Sequence, residues 1–155
     1  MLNKFAVKHL VSAASGDVIG FGELGEKMSN KIYGDGYALM PDSGIIYAPA
    51  DGVIENISED LRAITVRTRD GLTIVVRIGV EDIVPMEHII PYVCVGDSVD
   101  RGQIIAMADM SSLPSYARRS AMPIIITNIE QLKSYTVCGS GHLTGGKSIA
   151  VRYTL

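Results

Sequence analysis

Arg62 and Arg77 are the residues whose type and placement most invite a chemical reading. Guanidinium groups present a rigid fork of N–H donors that fits phosphate and carboxylate oxygens, and two of them side by side repel unless something negative lies between. They lie within Leu61–Thr68 and Leu72–Val80, two β-branched runs joined by Asp70-Gly71. Asp-Gly between alternating hydrophobic residues is a strong signal for a two-residue hairpin turn. Such a turn puts Arg69 opposite Leu72 and Ile64 opposite Arg77, with Arg62 one pleat further along the same face. A neutral alternative is internal pairing, in which Asp60, Glu81 or Asp82 neutralises the two arginines.

Other chemistries find less support. His9, His88 and His142 are scattered and show no H-x-H or H-E-x-x-H spacing, so exposed loop positions are expected and no metal site or cofactor. Gly141–Ser148 fits the phosphate-loop pattern G-x-x-x-x-G-K-[ST], but that loop must open a helix within a βαβ unit. Here Ile149–Thr154 alternates like a final strand, so the stretch reads as a glycine-rich hairpin loop. No nucleophile elbow or Cys/His pair is present. Glu59-Asp60 and Glu81-Asp82 read as solvated neighbours.

The elements that must position these groups are strands. Tyr37–Met40, Gly44–Ala48, Gly52–Ile57, Ile64–Thr68, Leu72–Val80, Ser98–Val99 with Ile104–Ala108, Met122–Thr127 and Ile149–Thr154 are separated by turn signals such as Pro41–Gly44, Pro49–Gly52 and Gly96-Asp97. Many short strands at this spacing predict a sandwich or barrel. Before Ile32 no clear strand is expected, beyond a loop from Ser12 entering a short strand near Ile19. Single helical turns are predicted in Phe21–Met28, Leu113–Ser120 and Glu130–Tyr135. No linker or low-complexity tract divides the 155 residues, which read as one domain over 1–155.

Composition closes off several function classes. A formal charge of −3 argues against nucleic-acid binding. The 47% hydrophobic content fits a globular chain. No apolar run approaches a spanning helix, and Lys8 and His9 interrupt the N-terminal apolar stretch, so neither membrane insertion nor export is expected. Cys94 and Cys138 match no metal spacing and read as reduced thiols in a cytoplasmic protein.

Four stretches, in order, resemble one family. Met28–Gly36 (MSNKIYGDG) resembles the F-S-E-K-I-V-G-D-G entry of the glucose-type IIA component of the bacterial sugar phosphotransferase system. Tyr47–Ile54 is similar to its A-P-V-D-G-x-V strand, Val95–Ile105 to its G-D-x-V-x-x-G-Q segment, and Met122–Asn128 to T-P-V-I-V-T-N. The likeness runs from about residue 12 to the last strand. It implies an all-β fold, an antiparallel β-sandwich or barrel of the duplicated hybrid-motif type with short helical turns. It also implies a phosphoryl relay, in which the carrier protein HPr phosphorylates one histidine that passes the group to a sugar permease domain, with a second histidine beside it.

The family's histidines stand in N-H-A-F-S-I and F-V-H-F-G, and the matching stretches here are Leu61–Val66 and Val75–Gly79. Both histidines are arginine: Arg62 and Arg77. The family's nearby threonine falls on Asp60 and its following aspartate on Glu81. Arginine stays protonated and offers no lone pair to a phosphoryl donor, so phosphoryl carriage and histidine-based zinc binding are not carried over. Where the family has partner-facing phenylalanines the chain has Met28, Ser58 and Val75, while Ile83 keeps an apolar position. The expectation is a binding or regulatory module, in which internal pairing of Arg62 and Arg77 by Asp60, Glu81 or Asp82 is weighed ahead of an anion or phospho-partner site at the two arginines. Its rivals are a phosphocarrier that uses another residue, His88 being the best placed, and a hybrid-motif peptidase, whose metal histidines are missing.

Overall fold

In the computed structural model of the chain, residues 6–24, 33–79, 86–109 and 121–155 are described. Met28, Glu81, Asp82, Ile83 and the helix expected over Leu113–Ser120 lie outside them. The strands are β1 (Lys8–Val11), β2 (Gly16–Ile19), β3 (Asp35–Pro41), β4 (Ile45–Tyr47), β5 (Gly52–Ile57), β6 (Ala63–Thr68) and β7 (Thr73–Arg77). They continue as β8 (Ile89–Pro91), β9 (Ser98–Val99), β10 (Ile104–Ala108), β11 (Met122–Ile126), β12 (Ser134–Val137), β13 (His142–Leu143) and β14 (Ile149–Thr154). Helix among the described residues is confined to short 3-10 turns at Phe21–Leu24, Met86–His88 and Ile129–Gln131. No helix of the described residues is long and apolar enough to cross a membrane.

Every described strand pair is antiparallel. One sheet runs β13-β2-β3-β11-β7-β6-β5-β9, and two three-stranded sheets run β1-β14-β12 and β4-β10-β8. Residues from all three sheets meet in one buried cluster, among them Leu10, Leu39, Ile46, Ile54, Ile105, Ile124 and Tyr153. The expected antiparallel β-sheet fold is therefore present.

The pleat explains the sheet around β6 and β7. Ile64, Val66, Ile74, Val76 and Ile78 are all at most 1% exposed, while Thr65, Arg67, Thr73, Val75 and Arg77 alternate toward the other face. Burial of a β-branched or Leu/Ile side chain contributes about 1.5–3 kcal/mol each, so this set fixes the register.

That register corrects the expected pairing. Arg77 lies opposite Ala63, Ile64 opposite Val76 and Arg67 opposite Thr73. The loop holds three residues, Arg69-Asp70-Gly71, closed by the Leu72 carbonyl accepting from Thr68 N at 2.8 Å. Gly71 takes φ +96°, the left-handed position of a three-residue hairpin loop. Thr68 Oγ1 accepts from Leu72 N at 2.9 Å and bonds the Asp70 carboxylate, which fixes the longer loop. A two-residue turn would have matched Ile64 to Arg77 and misaligned the apolar rows.

Three further expectations change. β1 exists, paired with β14 across Lys8 and Tyr153. The helical turn expected over Glu130–Tyr135 stops early: Leu132 is extended and β12 follows, paired with β14. Gly141–Ser148 is not a hairpin loop but a crossover, since β13 pairs with β2 while β14 pairs with β1 and β12. The final strand β14 does follow it, as the alternation indicated.

Candidate functional site

Arg62 sits just before β6, where the chain turns sharply. Leu61 has φ +63°, an unusual conformation for a side chain branched beyond Cβ, and it packs against the core cluster. Strained backbone persists only where the surroundings over-determine it. Here the surroundings are a compact set of hydrogen bonds. Leu61 N donates to Ser58 O at 2.9 Å, and Ser58 N and Ala63 O are paired at 2.9 Å. Ser58 Oγ donates to Asp60 Oδ1 at 2.6 Å and accepts from Ala63 N at 2.9 Å. Asp60 Oδ1 also accepts from Arg62 N at 3.1 Å.

The Arg62 guanidinium completes the turn. Its Nη1 donates to Asp60 Oδ2 at 3.1 Å, and the side chain is only 12% exposed. Internal pairing by Asp60 is thus present. The Ser58 hydroxyl first, then the Arg62 amide and guanidinium, hold the Asp60 carboxyl down at about 2 against a smaller opposing effect of burial. Asp60 is anionic and Arg62 cationic across the physiological range.

Arg77 ends β7. The Arg62 carbonyl accepts from Ile78 N at 2.7 Å, so the backbones of Arg62 and Arg77 are neighbours across the ladder. Arg77 is half-buried, and its Nε donates to Gly79 O at 3.0 Å, where Gly79 has φ +85°. Arg77 shares its face with Ala63, Thr65 and Val75, not with Ile64, which points into the core. The backbones of the two arginines are therefore neighbours because the strand ends meet, not because they share a continuous pleat. Val75 lies half-buried between Thr65 and Ile125.

Ser58 was expected only as a lost phenylalanine position, and the structure makes it the hub of the turn. A serine two residues before an aspartate, with glycine-free turn residues between, carries that signal: both side chains readily bond nearby backbone amides.

The histidines have separate settings. His9 lies in β1 rather than in a loop, and His142 in β13 is hydrogen-bonded to Asp42. His88 ends its 3-10 turn, and its Nδ1 donates to the Asp109 carbonyl at 2.7 Å. A carbonyl only accepts, so this contact fixes the tautomer and leaves the lone pair on Nε2. Among the described residues no group of His, Cys, Asp and Glu is placed to hold a metal ion. Cys94 and Cys138 are free thiols.

The family model described as phosphoenolpyruvate-dependent sugar phosphotransferase system, EIIA 1, matches residues 8–132. The chain is 30% identical over 151 residues to the PTS system glucose-specific EIIA component of Haemophilus influenzae, covering 96% of this chain and 90% of that protein. It is 31% identical over 149 residues to the PTS system N-acetylglucosamine-specific EIICBA component of Escherichia coli, covering 94% of this chain and 23% of that protein. The fold matches glucose permease IIA from Mycoplasma capricolum with a TM-score of 0.83 and 22% identity, over 97% of this chain and 99% of that one. The β-sandwich is shared.

Proposed function

The chain belongs to the EIIA type 1 family of the phosphoenolpyruvate-dependent sugar phosphotransferase system, and from that premise we propose that it is a binding or regulatory member that carries no phosphoryl group. The observation behind this reading is the chemistry at Arg62 and Arg77, which stand, on the resemblance, where the family has its relay histidines. A guanidinium is protonated at any physiological pH and cannot attack phosphorus.

In this reading the two guanidinium groups recognise a phosphoryl group presented by a partner and do not accept it. Guanidinium–phosphate pairs are strong and oriented, so the site suits the phosphohistidine of an HPr-like carrier. A permease domain is the alternative partner. On the resemblance, Val75 stands at a partner-facing position of the docking face. Titration of isotopically labelled protein with HPr and with phospho-HPr tests it. The expected result is tighter binding of the phosphorylated form, with shifts at Arg62, Arg77 and Val75. Equal or absent binding of the two forms contradicts recognition at the arginines.

A second reading has one observation in its favour. His88 keeps its Nε2 lone pair while Nδ1 is fixed on Asp109, a state suited to a phosphoryl acceptor. This alternative makes the chain an active phosphocarrier through His88.

A further inference from the structure

At the far end of the same hairpin, the Arg69-Asp70-Gly71 loop forms one wall of an open cleft of about 310 Å³. Lys8 and His9 of β1, Arg101 of the turn after β9, and Asp51 line the rest with Tyr153. On a chain of net charge −3 this corner is cationic. It gathers Lys8, Arg69 and Arg101, with Arg152 directly across the ladder from His9.

Its two carboxylates are already engaged. Asp70 accepts from Tyr153 Oη at 2.6 Å, bonds Thr68 and lies 3.5 Å from Lys8 Nζ. Asp51 accepts from the Arg101 amide at 2.8 Å, which fixes the base of that side chain. Arg101 Nη1 donates to His9 Nε2 at 3.2 Å, so His9 is held neutral with its other nitrogen protonated. Burial first, then Arg101 and Arg152, lower the readiness of His9 to take a proton, as expected in a positive field. The Arg69 side chain is exposed and has no carboxylate partner among the described residues.

We propose that this cleft is a second anion site, distinct from Arg62 and Arg77, that takes a soluble phosphate-class dianion between Arg69 and Arg101. The guanidinium forks supply oriented donors, the engaged carboxylates do not compete, and the recess is of the size that holds small molecules. Because its wall is the turn end of the β6–β7 hairpin, its occupancy is read independently of the arginines at the opposite end.

The test is a titration of the labelled full chain with inorganic phosphate and with pyrophosphate, against sodium chloride at matched ionic strength. Saturable shifts at Arg69, Arg101 and His9 are expected, stronger for pyrophosphate, with the His9 titration moving to higher pH when the anion is bound. Arg69→Gln removes an exposed group and should weaken binding by about tenfold, the loss of one charge-assisted contact. Arg62→Gln should leave these shifts unchanged. The proposal is overturned if chloride reproduces the shifts, if both Arg69→Gln and Arg101→Gln bind as the unaltered chain does, or if the response is confined to Arg62 and Arg77.

Discussion

The carbonyl of Arg62 accepts a 2.7 Å hydrogen bond from the amide of Ile78, which ties the start of β6 to the end of β7 beside Arg77. The Ser58–Arg62 turn is held in place by that bond and by Asp60. Replacing Asp60 tests how much the carboxylate contributes. The ion pair is 42% exposed on the Asp60 side, so its Coulomb part is small. The carboxylate also accepts from Ser58 Oγ and Arg62 N. Asp60→Ala should lower stability by about 1 kcal/mol, mostly through those lost acceptor contacts. Asp60→Asn, which keeps an acceptor oxygen, should cost less. Urea midpoints of the three proteins measure it.

Acid titration gives a second check on the same turn. The Asp60 carboxyl is held at about 2, below its ordinary 3.8. A depressed folded value means that the group stabilises the fold above about 3.8 and that this contribution is lost as pH falls toward 2. The Asp60 carbon resonance should therefore titrate near 2 in the intact chain. Ser58→Ala, which removes the largest cause, should move it upward and reduce the stability lost between about 3.8 and 2. An unchanged titration in that variant would sink the assignment.

Gly71 tests the corrected hairpin. Its φ is +96°, and a Cβ there would meet nothing within 4 Å, so any cost of substitution is conformational. Gly71→Ala should destabilise by about 1–2 kcal/mol, and Gly71→Asn by less, since Asn tolerates the left-handed region. Thermal unfolding reads both.

The strands β3 to β7 and β9 to β11 were legible because β-branched runs alternate between clear turn residues, and the corresponding elements are found within about three residues; β8 (Ile89–Pro91) was not. β1 and β12 were not, for a shared reason. Lys8-His9-Leu10-Val11 shows no alternation and Ser134–Val137 alternates over only four residues, and both are strands because β14 lies between them. A local window contains no trace of that long-range pairing. The hairpin shows a different limit. Asp70-Gly71 marks a turn but not its length; the apolar rows and the Thr68 side chain chose three residues over two. At the site, Arg62, Arg77 and Asp60 were singled out from type and resemblance, and Asp60 pairs with Arg62. Their geometry depends on Leu61 leaving the pleat and on Ser58, neither of which periodicity reveals.

The central claim is that this family member does not carry a phosphoryl group, and phosphorylation in vitro addresses it most directly. The full chain would be incubated with phosphoenolpyruvate, enzyme I and HPr, alongside a histidine-bearing EIIA as positive control. The account predicts label on HPr and on the control but none on this chain. Acid-labile label on this chain would contradict it, and its loss in His88→Ala would assign the phosphoryl acceptor to His88.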